Sequence, residues 1–185
     1  MRATLATTLI LCTLLAGAGG GPAFAGGLID ELRLGGLAQN IEPTGHVNEH
    51  GADINAEVLL VPLFATTCNP WRDALFGFRP HIGATHNFAG TTSKLYAGLT
   101  WDVPLANGFF LESSFGAAVH DGGLVEAGRA QYGCRVNFRE SASLGYDIDQ
   151  HWRVMLVVDH MSNADLCLRN RGLTNAGLRL GYRLQ

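Results

Sequence analysis

The sequence predicts an all-β protein, an eight-stranded antiparallel transmembrane β-barrel, from its composition, its alternating segments and its connections. Hydrophobic residues make up 47% of the chain, and glycine accounts for 24 of its 185 residues. Beyond the N-terminus, no run of about 18 apolar residues exists that could form a transmembrane helix. The apolar residues fall instead in short alternating stretches, which are typical of a small membrane barrel.

The N-terminus has the organisation of a secretory signal peptide. Arg2 supplies a positive start, residues 5–15 form an apolar run, and Ala23-Phe24-Ala25 matches a small-residue cleavage site. A membrane anchor is the alternative, but the apolar run is short for a span and breaks at glycines. We therefore expect residues 1–25 to be removed and residues 26–185 to form one outer-membrane barrel domain.

Eight segments show the alternation of membrane strands, and eight is the smallest even number found in such barrels. The predicted strands are residues 30–40, 52–61, 78–88, 93–103, 109–119, 135–148, 152–162 and 174–184. Residues 104–108 and 149–151 are tight connections, whereas 120–134 and 163–173 are long. Short turns are expected on the periplasmic side and long loops outside. Residues 62–77 are long where a short turn is expected, so they are a periplasmic insertion or a miscounted strand.

The last predicted strand has one apolar face and one face of glycine and arginine, which is a lipid-out, lumen-in pattern. The outward set is Leu178, Leu180, Tyr182 and Leu184, and the inward set is Gly177, Arg179, Gly181 and Arg183. A soluble lipocalin-like barrel, the alternative, would place its apolar side chains inside. Polar residues interpreted as lumen or rim groups on other strands are His81, His86, Asp102, Glu112, Arg139, Arg153 and Asp159.

The seventh predicted strand places a nucleophile and a base on its apolar face. Alternate residues of a strand share a face, so His160 and Ser162 lie on the same side as four apolar residues. These residues are Trp152, Val154, Leu156 and Val158. The arrangement would be unusual in a soluble enzyme. In a barrel whose outer wall faces lipid, it places the chemistry beside a lipid substrate.

Charge and spacing disfavour several classes of function. The formal net charge is −3, and no basic block indicates a nucleic-acid partner. His46, His50 and His120 lie in predicted loops without metal-ligand spacing, so no metal is expected. The glycine pairs lack the strand–turn–helix setting of a phosphate loop.

The run His160-Met161-Ser162-Asn163-Ala164, the segment from Asn170 to Thr174 and the closing strand together resemble the lipid A 3-O-deacylase (PagL) family. Members of that family pair an H-x-S-N-A strand end with an N-x-G-hydrophobic-acid segment that enters the final strand. The close resemblance covers the end of the chain, and the remainder agrees in length, strand count and signal peptide.

The resemblance implies an outer-membrane serine esterase that removes the acyl chain ester-linked at position 3 of lipid A in lipopolysaccharide, without a cofactor. Ser162 would be the nucleophile, His160 its general base, and Asn170 the donor that stabilises the oxyanion. Residues two apart on a strand are roughly 7 Å apart at Cα, so an imidazole can lean toward a hydroxyl on the same face. The expected partners are the lipopolysaccharide substrate and the outer membrane.

The chain departs from the family pattern at the third catalytic position. The family has an acid there, and the matching residue is Thr174, which cannot supply the negative charge that stabilises an imidazolium. Asp165 also stands where the family often has glycine. Either another acid substitutes, or the protein is a weakened or inactive structural barrel of the same fold, which is the alternative function.

Glu140 is the candidate for the substitute acid. The tight turn near Asp149 sets Glu140 across from Val158 or His160, and Glu140 is the one charge on an otherwise apolar stripe. An unpaired charge there would cost about 2 kcal/mol or more near the bilayer centre. We predict that Glu140 pairs with His160. The alternatives are an interfacial position, or a register error of one residue that turns the carboxylate inward.

Three cysteines remain after removal of the signal peptide, and secretion permits a disulfide. Cys134 opens the strand that leaves the third outer loop, and Cys167 lies in the fourth, so both are expected on the extracellular side. Cys68 lies toward the opposite rim. We predict a Cys134–Cys167 bridge, with Cys68 either free or paired between chains in a homodimer.

Overall fold

The computed structural model describes residues 27–41, 49–64 and 76–184, and these form a closed antiparallel barrel whose strands follow one another in chain order. The strands are β1 (Ile29–Ala38), β2 (Ala52–Leu60), β3 (Arg79–Asn87), β4 (Lys94–Pro104), β5 (Phe109–His120), β6 (Val136–Asp147), β7 (Trp152–Ser162) and β8 (Leu173–Arg183), with a 3₁₀ turn at Ala106–Gly108. The predicted fold class is confirmed, and every predicted strand end lies within two residues of the observed one. In the described part of the chain, no helix is long and apolar enough to cross a membrane.

The strands place apolar side chains on the outer wall and polar side chains in the lumen. On β1, Leu32 and Leu34 are 42% and 57% exposed, whereas Glu31 and Arg33 are buried. β8 pairs with β1 so that Leu180 lies opposite Leu34 and continues the apolar wall. This arrangement is that of a membrane barrel and the reverse of a soluble lipid-binding barrel, so the soluble alternative is rejected.

Ion pairs fill the lumen. The Arg33 guanidinium donates to the carboxylates of Glu31, Glu57 and Glu112 at 2.5–3.0 Å. Arg153 donates to Glu31 at 3.3 Å from a neighbouring position. Because each of these carboxylates contacts a guanidinium, burial leaves none of their charges uncompensated.

Of the seven residues interpreted as lumen or rim groups, six point into the lumen and one points outward. The six that point inward are His81, Asp102, Glu112, Arg139, Arg153 and Asp159. His86 lies instead on the outer face of β3, near the rim, with an exposed imidazole. Successive residues of a strand point to opposite faces. His86 comes directly before Asn87, which is buried at the end of the strand, so His86 points outward.

The two ends of the barrel differ in their connections. The tight turns at residues 105–108 and 148–151 lie at one end, which we assign to the periplasm, and the loops at 121–135 and 163–172 lie at the other, extracellular end. Outward aromatic pairs mark the periplasmic end, with ring centroids of Trp152 and Tyr182 separated by 4.8 Å and those of Phe78 and Trp101 by 5.7 Å.

Two predictions concern parts of the chain outside the described residues. The predicted signal peptide, residues 1–25, and Cys68 lie outside them entirely. Of the long segment 62–77, only residues 62–64 and 76–77 are described, and they connect β2 to β3 at the periplasmic end.

A small apolar cluster closes the extracellular mouth above the ion pairs. Tyr132 enters it from the loop between β5 and β6 and is completely buried. Its neighbours in the cluster are Tyr96, Ala118, Ala130, Met161 and Leu173. Burial raises the pKa of the Tyr132 phenol, so the group that seals the mouth stays neutral.

Candidate active site

Three neighbouring strands carry polar side chains in one row on the outer wall. Glu140 on β6 lies directly opposite His160 on β7, and His160 lies directly opposite Thr174 on β8. Directly opposed residues of antiparallel strands have Cβ atoms about 4.5–5.5 Å apart. The row therefore brings a carboxylate, an imidazole and a hydroxyl side by side on the lipid-facing surface.

The imidazole of His160 is oriented by Thr174. Its Nδ1 lies 2.7 Å from Thr174 Oγ1. In a serine hydrolase this nitrogen donates to an acid, which fixes the tautomer and stabilises the imidazolium. The threonine hydroxyl can hold the ring in place but adds no negative charge.

Glu140 lies on the strand at the other side of His160, directly opposite it in the register of β6 and β7. Its carboxylate is exposed on the outer face of β6, and its opposite neighbour on β5 is Phe115. The flanking positions on its own strand face, Phe138 and Ala142, are also apolar. Of its two cross-strand neighbours, His160 is thus the polar one. The alternative in which Glu140 points into the lumen is wrong.

Ser162 lies at the extracellular end of β7, two residues beyond His160 and on the same face. It is half-buried and lies directly opposite Phe138 on β6. The row of three and the serine together occupy the outer wall close to the rim.

Asn170, the predicted oxyanion donor, is held beside the motif by both ends of its amide. The backbone N–H of Asn163 donates to Asn170 Oδ1 at 2.8 Å, and Asn170 Nδ2 donates to Asp165 Oδ1 at 3.0 Å. An amide nitrogen carries two hydrogens, and Asp165 takes one of them. The amide plane is therefore fixed next to the residue that follows Ser162.

The turn after the motif uses left-handed backbone. Ala164 has φ 53° and Asp165 has φ 61°, and Leu166 N–H donates to the carbonyl of Asn163 at 3.1 Å. Glycine is the residue that adopts this conformation most easily. The conformation explains why glycine suits the position of Asp165, and aspartate is among the better tolerated substitutes.

Asn163 joins the two loops that flank the site, a role that the sequence motif alone did not reveal. Its buried Nδ2 donates to the carbonyls of Tyr132 and Arg169, each at 2.6 Å. The only sequence signal for it was its place inside the S-N-A run. Because one side chain ties the loop at 121–135 to the loop at 163–172, the segment that carries Asn170 is braced.

A disulfide braces the same two loops. Cys134 and Cys167 are joined in the structure, with Cα atoms 5.9 Å apart, which is within the usual range for a disulfide. Arg171 N–H also donates to the carbonyl of Gln131 at 3.0 Å. Three independent links thus connect the segment before β6 to the segment before β8.

A family model described as lipid A 3-O-deacylase (PagL) matches residues 66–183, well over half of the chain and all of the candidate site. The chain belongs to the lipid A 3-O-deacylase (PagL) family. A search of curated proteins finds no match. This family membership confirms the resemblance seen in the sequence and places the barrel in the outer membrane.

Solved structures similar to this PagL-family protein share its fold. The crystal structure of the outer membrane enzyme PagL has a TM-score of 0.59 at 16% sequence identity, covering 82% of this chain and 97% of that one. Neisserial surface protein A has a TM-score of 0.55 at 7% identity, covering 83% of this chain and 96% of that one. At these identities the similarity shows a common barrel and nothing finer.

An apolar groove on the outer wall of this PagL-family barrel adjoins Ser162. It has a volume of about 150 Å³ and runs from the loop residue Leu166 across the wall of β6 and β5. Its lining includes Phe138, which lies opposite Ser162, together with Val136 and Ala117. The groove offers space for hydrocarbon beside Phe138 and Asn163, which lie opposite Ser162 and next to it in the chain, respectively.

Proposed function

We propose that this protein is a serine esterase that hydrolyses the 3-O-linked acyl ester of lipid A in the outer membrane. The observation that carries the proposal is the row of Glu140, His160 and Thr174 beside Ser162 on the lipid-facing wall. Charged side chains in the lumen pair with one another and stabilise the fold. A half-buried imidazole beside a serine on the outer wall lies outside that network, so the fold does not require it.

Ser162 is the nucleophile in this proposal. Its Oγ attacks the ester carbonyl while His160 Nε2 accepts the hydroxyl proton, as Nδ1 is held by Thr174. The tetrahedral oxyanion is stabilised by the second hydrogen of Asn170 Nδ2. A well-placed donor of this kind is worth about 3–4 kcal/mol of barrier. Collapse of the intermediate releases the sugar hydroxyl, which takes its proton from His160, and leaves the acyl chain on Ser162.

Water completes the cycle in a second, mirrored step. His160 Nε2 accepts a proton from water, the hydroxide attacks the acyl-Ser162 carbonyl, and the serine oxygen leaves with that proton. The products are a free fatty acid and lipid A with a hydroxyl at position 3. The balance needs only water, so the scheme requires neither a metal nor a cofactor.

Glu140 supplies the negative charge that Thr174 lacks. Two groups share the work of the missing acid in this proposal: Thr174 orients the imidazole, and Glu140 stabilises the imidazolium from the neighbouring strand. At the rim of the barrel the carboxylate is partly hydrated, so its presence on the outer wall costs less than it would at mid-depth.

The test is mass spectrometry of lipid A from cells that produce the protein. We expect lipid A to lose the mass of one 3-linked acyl chain with the wild type and to keep it with Ser162→Ala. Ser113→Ala is the matched control, since Ser113 is an exposed serine on the outer wall of β5, away from the site. Complete deacylation by a folded Ser162→Ala variant would overturn the assignment.

An inactive barrel is the second candidate, and the uncharged hydroxyl of Thr174 is the observation that favours it. Thr174→Glu restores the acid of the family pattern and separates the two candidates. If wild-type cells keep intact lipid A while Thr174→Glu removes the acyl chain, the fold has retained a site that is no longer used. Removal of residues 1–25 remains part of both proposals, and N-terminal sequencing of the membrane-inserted form tests it.

A further inference from the structure

A second groove lies on the outer wall at the extracellular rim, over β3, β4 and β5 rather than over β6 to β8. It is open and has a volume of about 540 Å³. Ser162 and His160 are not among its lining residues. The lining of the groove includes His86, Ser93, Leu95, Val119, Asp121 and Arg135.

The upper part of this groove carries an anchored cation. Arg135 NH1 donates to the carbonyls of His120 and Gly122, at 2.8 and 3.2 Å. These bonds fix the guanidinium over the end of β5, and a guanidinium has two further nitrogens with which to bind an anion. A cation held in place by the backbone loses little freedom when a ligand binds.

His86 and Asp121 complete the polar lining on the opposite side. The exposed imidazole of His86 contacts Ser93 Oγ through Nδ1 at 3.3 Å. Asp121 is the acid of the groove, and its carboxylate accepts the backbone N–H of Ser93 at 2.7 Å. The carboxylate is thus turned toward Ser93. Lys94 and His120 also line the groove, but both are buried, and they contact Asp159 and the carbonyl of Cys134. His86 and Arg135 are therefore the exposed side chains with nitrogen donors for an anion.

The lower part of the groove is hydrocarbon. Leu95 and Val119 lie opposite each other on β4 and β5 and are 66% and 49% exposed. They belong to the apolar outer wall, which contacts lipid in the membrane. A cation fixed at the rim directly above exposed aliphatic side chains matches one chemical class, an amphiphile with an anionic head and a hydrocarbon chain.

We propose that this groove binds a phosphate-bearing lipid of the outer leaflet, with the phosphate on Arg135 and His86 and an acyl chain along Leu95 and Val119. Free phosphate is the weaker fit, because a single rim arginine in contact with water binds a lone ion poorly. The acyl chain adds apolar burial that the free ion lacks. The proposal rests on the outer-membrane location of the barrel and not on ester hydrolysis.

Photolabelling locates such a lipid on the wall. The Ser162→Ala barrel in neutral detergent micelles is labelled with phosphatidic acid that carries a diazirine on its acyl chain, and the labelled peptides are mapped. Diacylglycerol with the same diazirine is the uncharged counterpart. We expect phosphatidic acid to label Leu95 and Val119 about tenfold more than diacylglycerol does. Equal labelling by the two lipids would show an ordinary lipid-contacting wall and overturn the proposal.

Variants test the cation directly. Arg135→Gln is expected to reduce labelling of the groove by phosphatidic acid about tenfold, and Arg135→Lys by less. Arg129→Gln, which removes an exposed arginine of the same loop, is the matched control and should change nothing. Should Arg135→Gln fail to fold, as judged by heat-modifiable gel migration, His86→Gln tests the other donor and should also reduce labelling.

Two further outcomes would contradict the lipid assignment. Displacement of the label by millimolar inorganic phosphate would show an anion site that does not need a chain. Undiminished labelling in folded Arg135→Gln would show that the guanidinium is not the recognition element. Because all measurements use Ser162→Ala and read lipid position rather than turnover, they are independent of whether the protein deacylates lipid A.

Discussion

The lumen of the barrel and its outer wall at β6 to β8 both contain charged and hydrogen-bonding side chains, but these side chains have different roles in the two places. In the lumen, Arg33 contacts three carboxylates, and the network occupies the interior that the strands enclose. On the outer wall, Glu140, His160, Thr174 and Ser162 interrupt a surface that is mostly apolar. Polar groups inside a membrane barrel are required by its architecture. Polar groups on the lipid side carry a cost that function must justify.

The largest expected effect concerns the outer row. Ser162→Ala and His160→Ala should each lower the rate of 3-O-deacylation at least about a thousandfold, because nucleophile and base act as a unit. Their folding should be unchanged, since both side chains lie on the outer wall. The rate is measured on lipid A in mixed micelles and the fold by heat-modifiable migration. A folded His160→Ala barrel that deacylates at the wild-type rate would contradict a catalytic role for the outer row.

The lumen should show the opposite pattern. Arg33→Ala leaves Glu31, Glu57 and Glu112 without their shared guanidinium, which should destabilise the barrel by about 3–5 kcal/mol. Molecules that do fold should retain their turnover, because Arg33 lies far from the outer row. Urea unfolding of the refolded barrel measures the first effect, and activity per folded molecule measures the second. A stable Arg33→Ala barrel would argue against a structural role for the network.

Glu140 is a further test of the difference between the lumen and the outer wall, because its carboxylate lies on the outer wall and takes no part in the lumen network. Glu140→Gln should lower turnover about a hundredfold without loss of folding, since the imidazolium loses its charged neighbour. Adding Thr174→Glu to that variant should recover most of the rate. Kinetics of the single and double variants on the same lipid measure both effects. Unchanged turnover in Glu140→Gln would assign the carboxylate another role.

The link between the two extracellular loops should have a moderate effect. Cys134→Ser should lower turnover about tenfold, because the loop that carries Asn170 gains freedom and its donor is misplaced. Asn163 and the Arg171–Gln131 bond continue to hold the loops, so the fold should persist. Peptide mapping without reductant should recover Cys134 and Cys167 in one linked pair. Recovery of both as free thiols would exclude the bridge.

The smallest expected effect is a gain of stability at the turn after the motif. Ala164 has φ 53°, a left-handed conformation that costs an alanine about 1 kcal/mol relative to glycine. Ala164→Gly should therefore raise the free energy of unfolding by up to about 1 kcal/mol, and urea unfolding measures it. Asp165→Gly relieves the same strain but loses the bond to Asn170, so it should gain less.

The strands and the outer row could be predicted from the sequence because both depend on short-range rules. Alternation assigns each side chain to a face, and the tight turn at residues 148–151 sets the register that brings Glu140 opposite His160. The disposition of the loops could not be predicted in this way. Neither the brace formed by Asn163 nor the contact of Asp165 with Asn170 follows from periodicity. The anchoring of Arg135 likewise depends on how a loop closes over the end of β5.

The disulfide gives part of the site a covalent boundary of its own. Residues 134–167 form a closed ring that contains all of β6, the periplasmic turn and all of β7. Glu140, His160 and Ser162 lie inside this ring. Asn170 lies beyond it, on the loop that leads into β8, and Thr174 lies on β8 itself. The disulfide joins the two ends of the β6–β7 hairpin, the hairpin on which these three residues of the ring lie. Thr174 therefore reaches the imidazole of His160 only when β8 pairs with β7. β8 is also the strand that closes the barrel, because it pairs with β1. The row on the outer wall is therefore complete only in a fully assembled barrel.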